Sequence, residues 1–224
     1  MPTAARAAPS PVSIAPSRPS LARDVGLALA LLVAIGLVYW ATIDLSLRTA
    51  AVVAVVTAGQ MHARLAMGRS KAALLVASAS GMLGLAGAAP RLVVALVAGG
   101  LVGSELIARC TRRSAVLQAA AWTGVVTAAA LVAFVAGSQG PFDGLLARES
   151  LLAVAGGVLA APLLQTLGPV LEWVFGHTTR LTMSEWLNFE HPLLRQLAAK
   201  ASGTFQHSIN VGVLAASGAS AIGG

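Results

Sequence analysis

Charge is scarce in this chain of 224 residues: 10% are Asp, Glu, Lys or Arg, against 57% hydrophobic. With a mean hydropathy of +0.81, that balance excludes an ordinary soluble domain, in which about a quarter of residues are charged. Cysteine is almost absent. Cys110 stands alone, so no internal disulfide can form and a reduced thiol is its default state. Acidic residues number 8 against 15 basic ones. The resulting +7 does not describe a nucleic-acid surface, which needs basic residues clustered on a soluble face, so no nucleic-acid polymer is expected as a partner.

What the chain has in abundance is long apolar runs. A bilayer core takes roughly 20 apolar residues per helix, and such stretches fall at 25–43, 49–67, 72–89, 92–108, 115–136 and 151–175. The fold class expected is all-α, a polytopic transmembrane bundle of about six spans, with the lipid bilayer as its first partner. Lys and Arg are held on the cytosolic side during insertion. With the amino terminus inside, the cytosolic segments hold Arg6, Arg18 and Arg23, then Arg64, Arg69 and Lys71, then Arg109, Arg112 and Arg113, then Arg180, Arg195 and Lys200. Only Arg48, Arg91 and Arg148 fall outside, so both termini are expected in the cytosol.

Residues 1–24 are expected to be a disordered cytosolic leader, since Ala, Pro, Ser and Arg without hydrophobic bulk cannot bury a core. The following run is long enough to span and no small-residue cleavage site follows it, which argues against a signal peptide. Lipid gives helices no hydrophobic reason to associate, so small residues are read as packing devices. Gly99 with Gly103, the series Gly81, Gly84 and Gly87, and Gly157 with Ala161 have such spacings. Alone they specify no dimer, although a homo-oligomer is compatible with them.

Ionisable residues at membrane depth need named partners. Glu105 precedes Arg109 by four residues, and an i,i+4 ion pair is expected to account for it. Glu172 follows Pro162 and Pro169, prolines that free backbone carbonyls and predict a kink in the last span. Acidic groups in the spans are too few for the converging set a transporter would want.

The polar end of the chain carries a series of motifs in order. Pro169 and Glu172 form Pro-x-x-Glu; Thr179 follows; then come His191-Pro192-Leu193-Leu194, Gly203-Thr204 with His207-Ser208, and Ala221-Ile222-Gly223. This series resembles the junction between membrane and catalytic regions in the seven-transmembrane HD-domain (HDIG) phosphohydrolases of the cyclic di-AMP phosphodiesterase type. In that resemblance Gln206 replaces a histidine and Ser202 a proline.

The resemblance implies a membrane-anchored, metal-dependent phosphohydrolase of a bacterial inner membrane. It implies that the substrate is a cyclic dinucleotide, cyclic di-AMP, and that a divalent metal pair, Mn or Fe, activates water. It makes His207 a metal ligand, with the remaining ligands expected beyond Gly224, so that these 224 residues alone are expected to be inactive. The organisation expected is a transmembrane region 25–176, a cytosolic coupling segment 177–202, and a fragment, 203–224, holding the first helix of a truncated all-α HD domain.

Without the resemblance, His207 reads as a packed core histidine. Phe205, Ile209, Val211, Val213 and Leu214 surround it with no polar face, so its helix should be buried in a domain. In the coupling segment Leu181, Trp186, Leu187 and Phe189 are expected near the bilayer surface, and Pro192 is expected to start a helix. The alternative reading of the chain is a noncatalytic membrane sensor or scaffold.

Overall fold

A computed structural model describes residues 21–42, 47–110, 112–179, 181–183 and 192–222. The expectations for 1–20, Trp186, Leu187, Phe189, His191 and Gly223 lie outside the described residues. Among the described residues every regular element is helical: α1 (Leu21–Ala41), α2 (Arg48–Met67), α3 (Arg69–Leu85), α4 (Pro90–Ala108), α5 (Arg113–Gly137), α6 (Gly144–Phe175), α7 (Pro192–Lys200) and α8 (Ser202–Ala221). The first six form an all-α membrane bundle.

Each expected span is a helix. Five of them (α1, α2, α4, α5 and α6) are long and apolar enough to cross a membrane. The third, α3, has 17 residues, about 25 Å of helix against a hydrocarbon core of about 30 Å. The boundaries also differ. α1 takes up residues 21–24 of the expected leader. α6 begins seven residues before the apolar run because Asp143 caps it, its carboxylate accepting from Leu146 N at 2.9 Å. α6 then continues as one helix through Pro162 and Pro169.

The helices separate two apolar faces, one for protein and one for lipid. On α1, Leu27, Leu31, Ile35 and Tyr39 are buried while Val25, Leu29, Val33 and Leu37 are exposed. Both stripes recur every four residues, the spacing of one helix face. α2 lies at the centre: residues 56–63 are buried without interruption, and its neighbours are α1, α3, α4, α5 and α6. A helix buried all round needs no amphipathic pattern, and its sequence has none.

Close backbone approach holds the centre together. An added Cβ at Gly103 would lie 2.7 Å from Thr123 Oγ1, and Gly99 receives Thr127, so the 99/103 pair packs α4 on α5 within this chain. Gly124 faces Gly157, and a Cβ on Gly156 would sit 2.6 Å from Ala50 O of α2. The series at 81, 84 and 87 has no such role. Gly81 faces open space, and Gly87, at φ 88°, serves the turn between α3 and α4.

Glu105 corrects the ion pair expected with Arg109. Its Oε1 meets Arg69 Nε at 3.0 Å. Arg109 is the residue that caps α4, whereas the antiparallel hairpin of α3 and α4 brings the first residue of α3 beside the last turn of α4. Sequence spacing within one helix did not foresee a partner from the neighbouring one.

Candidate functional site

The polar side chains gather where α6 ends. Its apolar run stops at Gly176, which has φ 60° and ψ 37°, a left-handed conformation that glycine takes without a Cβ clash. The Gly176 and His177 backbone N–H groups both donate to Glu172 O, the latter at 3.2 Å. This turn sends the following segment back across the end of the bundle.

There Glu172 is the acceptor at the centre. Its carboxylate takes the Thr179 hydroxyl at 2.6 Å and the Thr182 hydroxyl at 2.9 Å to each oxygen. Thr179 is 3% exposed, and Leu181 packs against the core of α2, α4, α5 and α6. Hydrogen bonds to a charged acceptor contribute about 1.5–3 kcal/mol each, so the returning segment is clamped rather than laid on. Pro169 belongs to the same construction: lacking an N–H, it leaves the Gln165 carbonyl without its usual helical donor. Gln165, Pro169, Glu172, Thr179, Thr182 and Arg113 share the lining of a small cavity of about 30 Å³.

Two further ties reach other helices. His177 Nε2 lies 3.2 Å from His62 Nε2 on α2, the rings meeting edge to face at 70°. Arg23 of α1 donates to Gly176 O at 3.2 Å, and its neighbour Asp24 pairs with Lys71 of α3. Burial holds the His177 imidazole below its ordinary value; Glu172 opposes that, Arg23 adds to it and Asp24 opposes it. Nearby Cys110 donates to Leu106 O at 3.4 Å, and burial pushes its thiol up, away from a reactive thiolate.

The arrangement can fasten a segment to three helices; it holds no activated nucleophile. It unites Pro169, Glu172 and Thr179, which the sequence singled out, and adds Thr182, His62 and His177, which it did not. His62 and His177 are 115 positions apart, so no spacing could join them; the available signal was an ionisable residue inside a span.

His207 stands elsewhere. It is exposed on α8, where Gln206 Nε2 donates to Asn210 Oδ1 at 3.3 Å and Ser208 to Thr204 O at 2.9 Å. No described residue of α8 is buried; Val213 and Leu214 are 60% and 71% exposed. The burial expected for this helix is therefore not met by the described residues. Among them no three His, Cys, Asp or Glu side chains converge to hold a metal ion. One exposed imidazole does not fit a two-metal site, and these residues form none.

A family model described as "7TM receptor with intracellular HD hydrolase" matches residues 14–179. The cyclic-di-AMP phosphodiesterase PgpH of Bacillus subtilis (strain 168) is 26% identical over 125 residues, which are 55% of this chain and 18% of that protein. The chain thus matches less than a fifth of the length of this relative. No solved structure matches.

Proposed function

The chain belongs to the family of 7TM receptors with an intracellular HD hydrolase, and from that premise we propose that its bundle anchors and regulates a cytosolic HD phosphohydrolase acting on a cyclic dinucleotide, cyclic di-AMP. The observation that carries this reading is the clamp of Glu172 on Thr179 and Thr182. It ties the last span to the segment that leads toward α7 and α8. A change in how the helices pack is therefore passed to whatever follows as a change in the hold on that segment. The resemblance to the Bacillus cyclic-di-AMP phosphodiesterase supports the choice of nucleotide.

In this reading the bundle sits in a bacterial inner membrane with both termini cytosolic. His207 is a ligand of a Mn or Fe pair whose other ligands lie outside these 224 residues. The organisation follows: a leader, a membrane region, a coupling segment from 177 and an HD domain opening at 203, with homo-oligomerisation compatible but not required.

The test uses the whole reading frame of the protein, purified in detergent. His207→Ala should lower bound Mn or Fe and reduce cyclic di-AMP hydrolysis by orders of magnitude while the bundle keeps its thermal transition. The 224-residue chain alone should show no turnover. Full metal occupancy and full activity in His207→Ala would remove His207 from the metal site. No hydrolysis and no bound metal in the unsubstituted whole protein would remove the enzyme reading and favour a noncatalytic sensor or scaffold.

A further inference from the structure

His62 joins two different environments. It is 1% exposed, and its Nε2 faces His177 at the clamp. Among the described residues its Nδ1 has no hydrogen-bond partner. That atom points toward Gly168, where an added Cβ would stand 3.9 Å away. Both residues line a narrow crevice between α1, α2 and α6, with a cavity volume of about 70 Å³. Leu31, Ile35, Ala58, Leu164 and Leu167 form much of its wall, and every lining residue except His62 is apolar.

The crevice exists because α1 stands off α6. The two helices meet at Gly26, where a Cβ would touch Phe175 at 3.5 Å. Beyond that contact the exposed Ala34 and Leu167 mark an opening on the lipid-facing side of the bundle. An apolar wall with a single polar group that fixes orientation is the common form of a small-molecule site.

We propose that this crevice binds an uncharged lipophile with one hydroxyl group, a lipid alcohol, whose hydroxyl bonds to His62 Nδ1 and whose chain lies between α1 and α6. The apolar wall selects the chain. A carboxylate or phosphate head is disfavoured because, among the described residues, no cationic side chain lines the crevice. A hydroxyl can donate or accept, so it satisfies Nδ1 in either tautomer of the ring. When the hydroxyl donates to Nδ1, the ring proton resides on Nε2 and is donated to His177. Occupancy in the membrane is thereby read at the clamp, whether or not the cytosolic region is catalytic.

The experiment uses the full chain in lipid nanodiscs with a photoreactive long-chain primary alcohol. Labelling should be saturable, map to the crevice wall, and be displaced by hexadecanol but poorly by hexadecane or palmitate. Ala34→Trp, placed on the exposed side where it cannot disturb the core, should abolish it. His62→Leu should weaken alcohol binding about tenfold, the change expected for one hydrogen bond, and remove the preference over hexadecane. Saturating hexadecanol should also slow proteolytic cutting of the segment 177–183. Unsaturable labelling along Val33 and Leu37 that ignores Ala34→Trp would reduce the crevice to ordinary lipid contact and overturn the site. Stronger displacement by palmitate would overturn the uncharged head, and saturable binding without slower cutting would overturn the link to His177.

Discussion

Glu172 carries more of the junction than any other side chain, because the hydroxyls of two threonines donate to its carboxylate, Thr182 sharing its one proton between both oxygens. Glu172→Ala would leave the buried Thr179 hydroxyl only the distant Thr182 Oγ1, at 3.5 Å, at a cost of about 1–3 kcal/mol. Glu172→Gln keeps one acceptor oxygen and should lose less. His177 makes the same junction sensitive to acid. Its folded value lies below its unfolded one, so the undocked segment binds more protons, and stability falls as pH drops through about 6.5. The loss levels off only where the docked ring is protonated as well. Proteolysis of residues 177–183 should accordingly be faster at about pH 5.5 than at about pH 7.5, and His177→Gln should flatten that difference. An unchanged pH difference in His177→Gln would assign the acid response to another group.

Helix packing gives contrasting expectations for glycines of similar appearance. Gly156→Ala would press a Cβ to 2.6 Å from Ala50 O and 2.8 Å from Val53 Cβ. Neither backbone nor β-branched carbon yields readily, so a loss of about 1–3 kcal/mol is expected. Gly81→Ala meets nothing within 4 Å and should gain about 0.5–1 kcal/mol from helix propensity. Thermal unfolding of both variants in one detergent checks the pair, and equal midpoints would refute the packing of α2 on α6. Much of this was legible in the sequence: six helices follow from apolar run length, and the spacing of Gly99 and Gly103 marks a true contact. The equally regular 81, 84 and 87 marks no close backbone approach, Gly84 alone facing a neighbour, Val93 Cγ2 at 3.7 Å, because spacing gives a face but not a neighbour. Tertiary proximity was the hidden part, in Glu105 choosing Arg69 and in His62 meeting His177. The start of α6 was missed because a cap, not hydrophobicity, sets it.

Across the whole molecule the charged contacts sort by end. Arg91 of α4 binds Glu149 of α6 through two bonds, 2.8 and 3.1 Å, and Arg48 stacks over Tyr39, whose hydroxyl reaches Ala86 O. At the opposite end Arg69 meets Glu105, Lys71 meets Asp24, and Arg23 reaches Gly176. Arg69 opens α3 and Ala86 closes it, so this short helix runs from one end of the bundle to the other. Its 17 residues span less than the hydrocarbon core, yet its neighbours leave it no other course, and snorkelling of Arg69 and Lys71 or local thinning can absorb the mismatch. If α3 crosses and the basic-rich end is cytosolic, alkaline phosphatase fused after Arg113 should be inactive and after Phe142 active, with green fluorescent protein showing the converse. If α3 does not cross while the amino terminus stays inside, the polarity of every later segment inverts, and the fusion after Arg113 becomes the active phosphatase. That outcome would put the clamp of Glu172 and Thr179 on the outside, out of reach of any cytosolic domain, and would overturn the coupling role together with the topology.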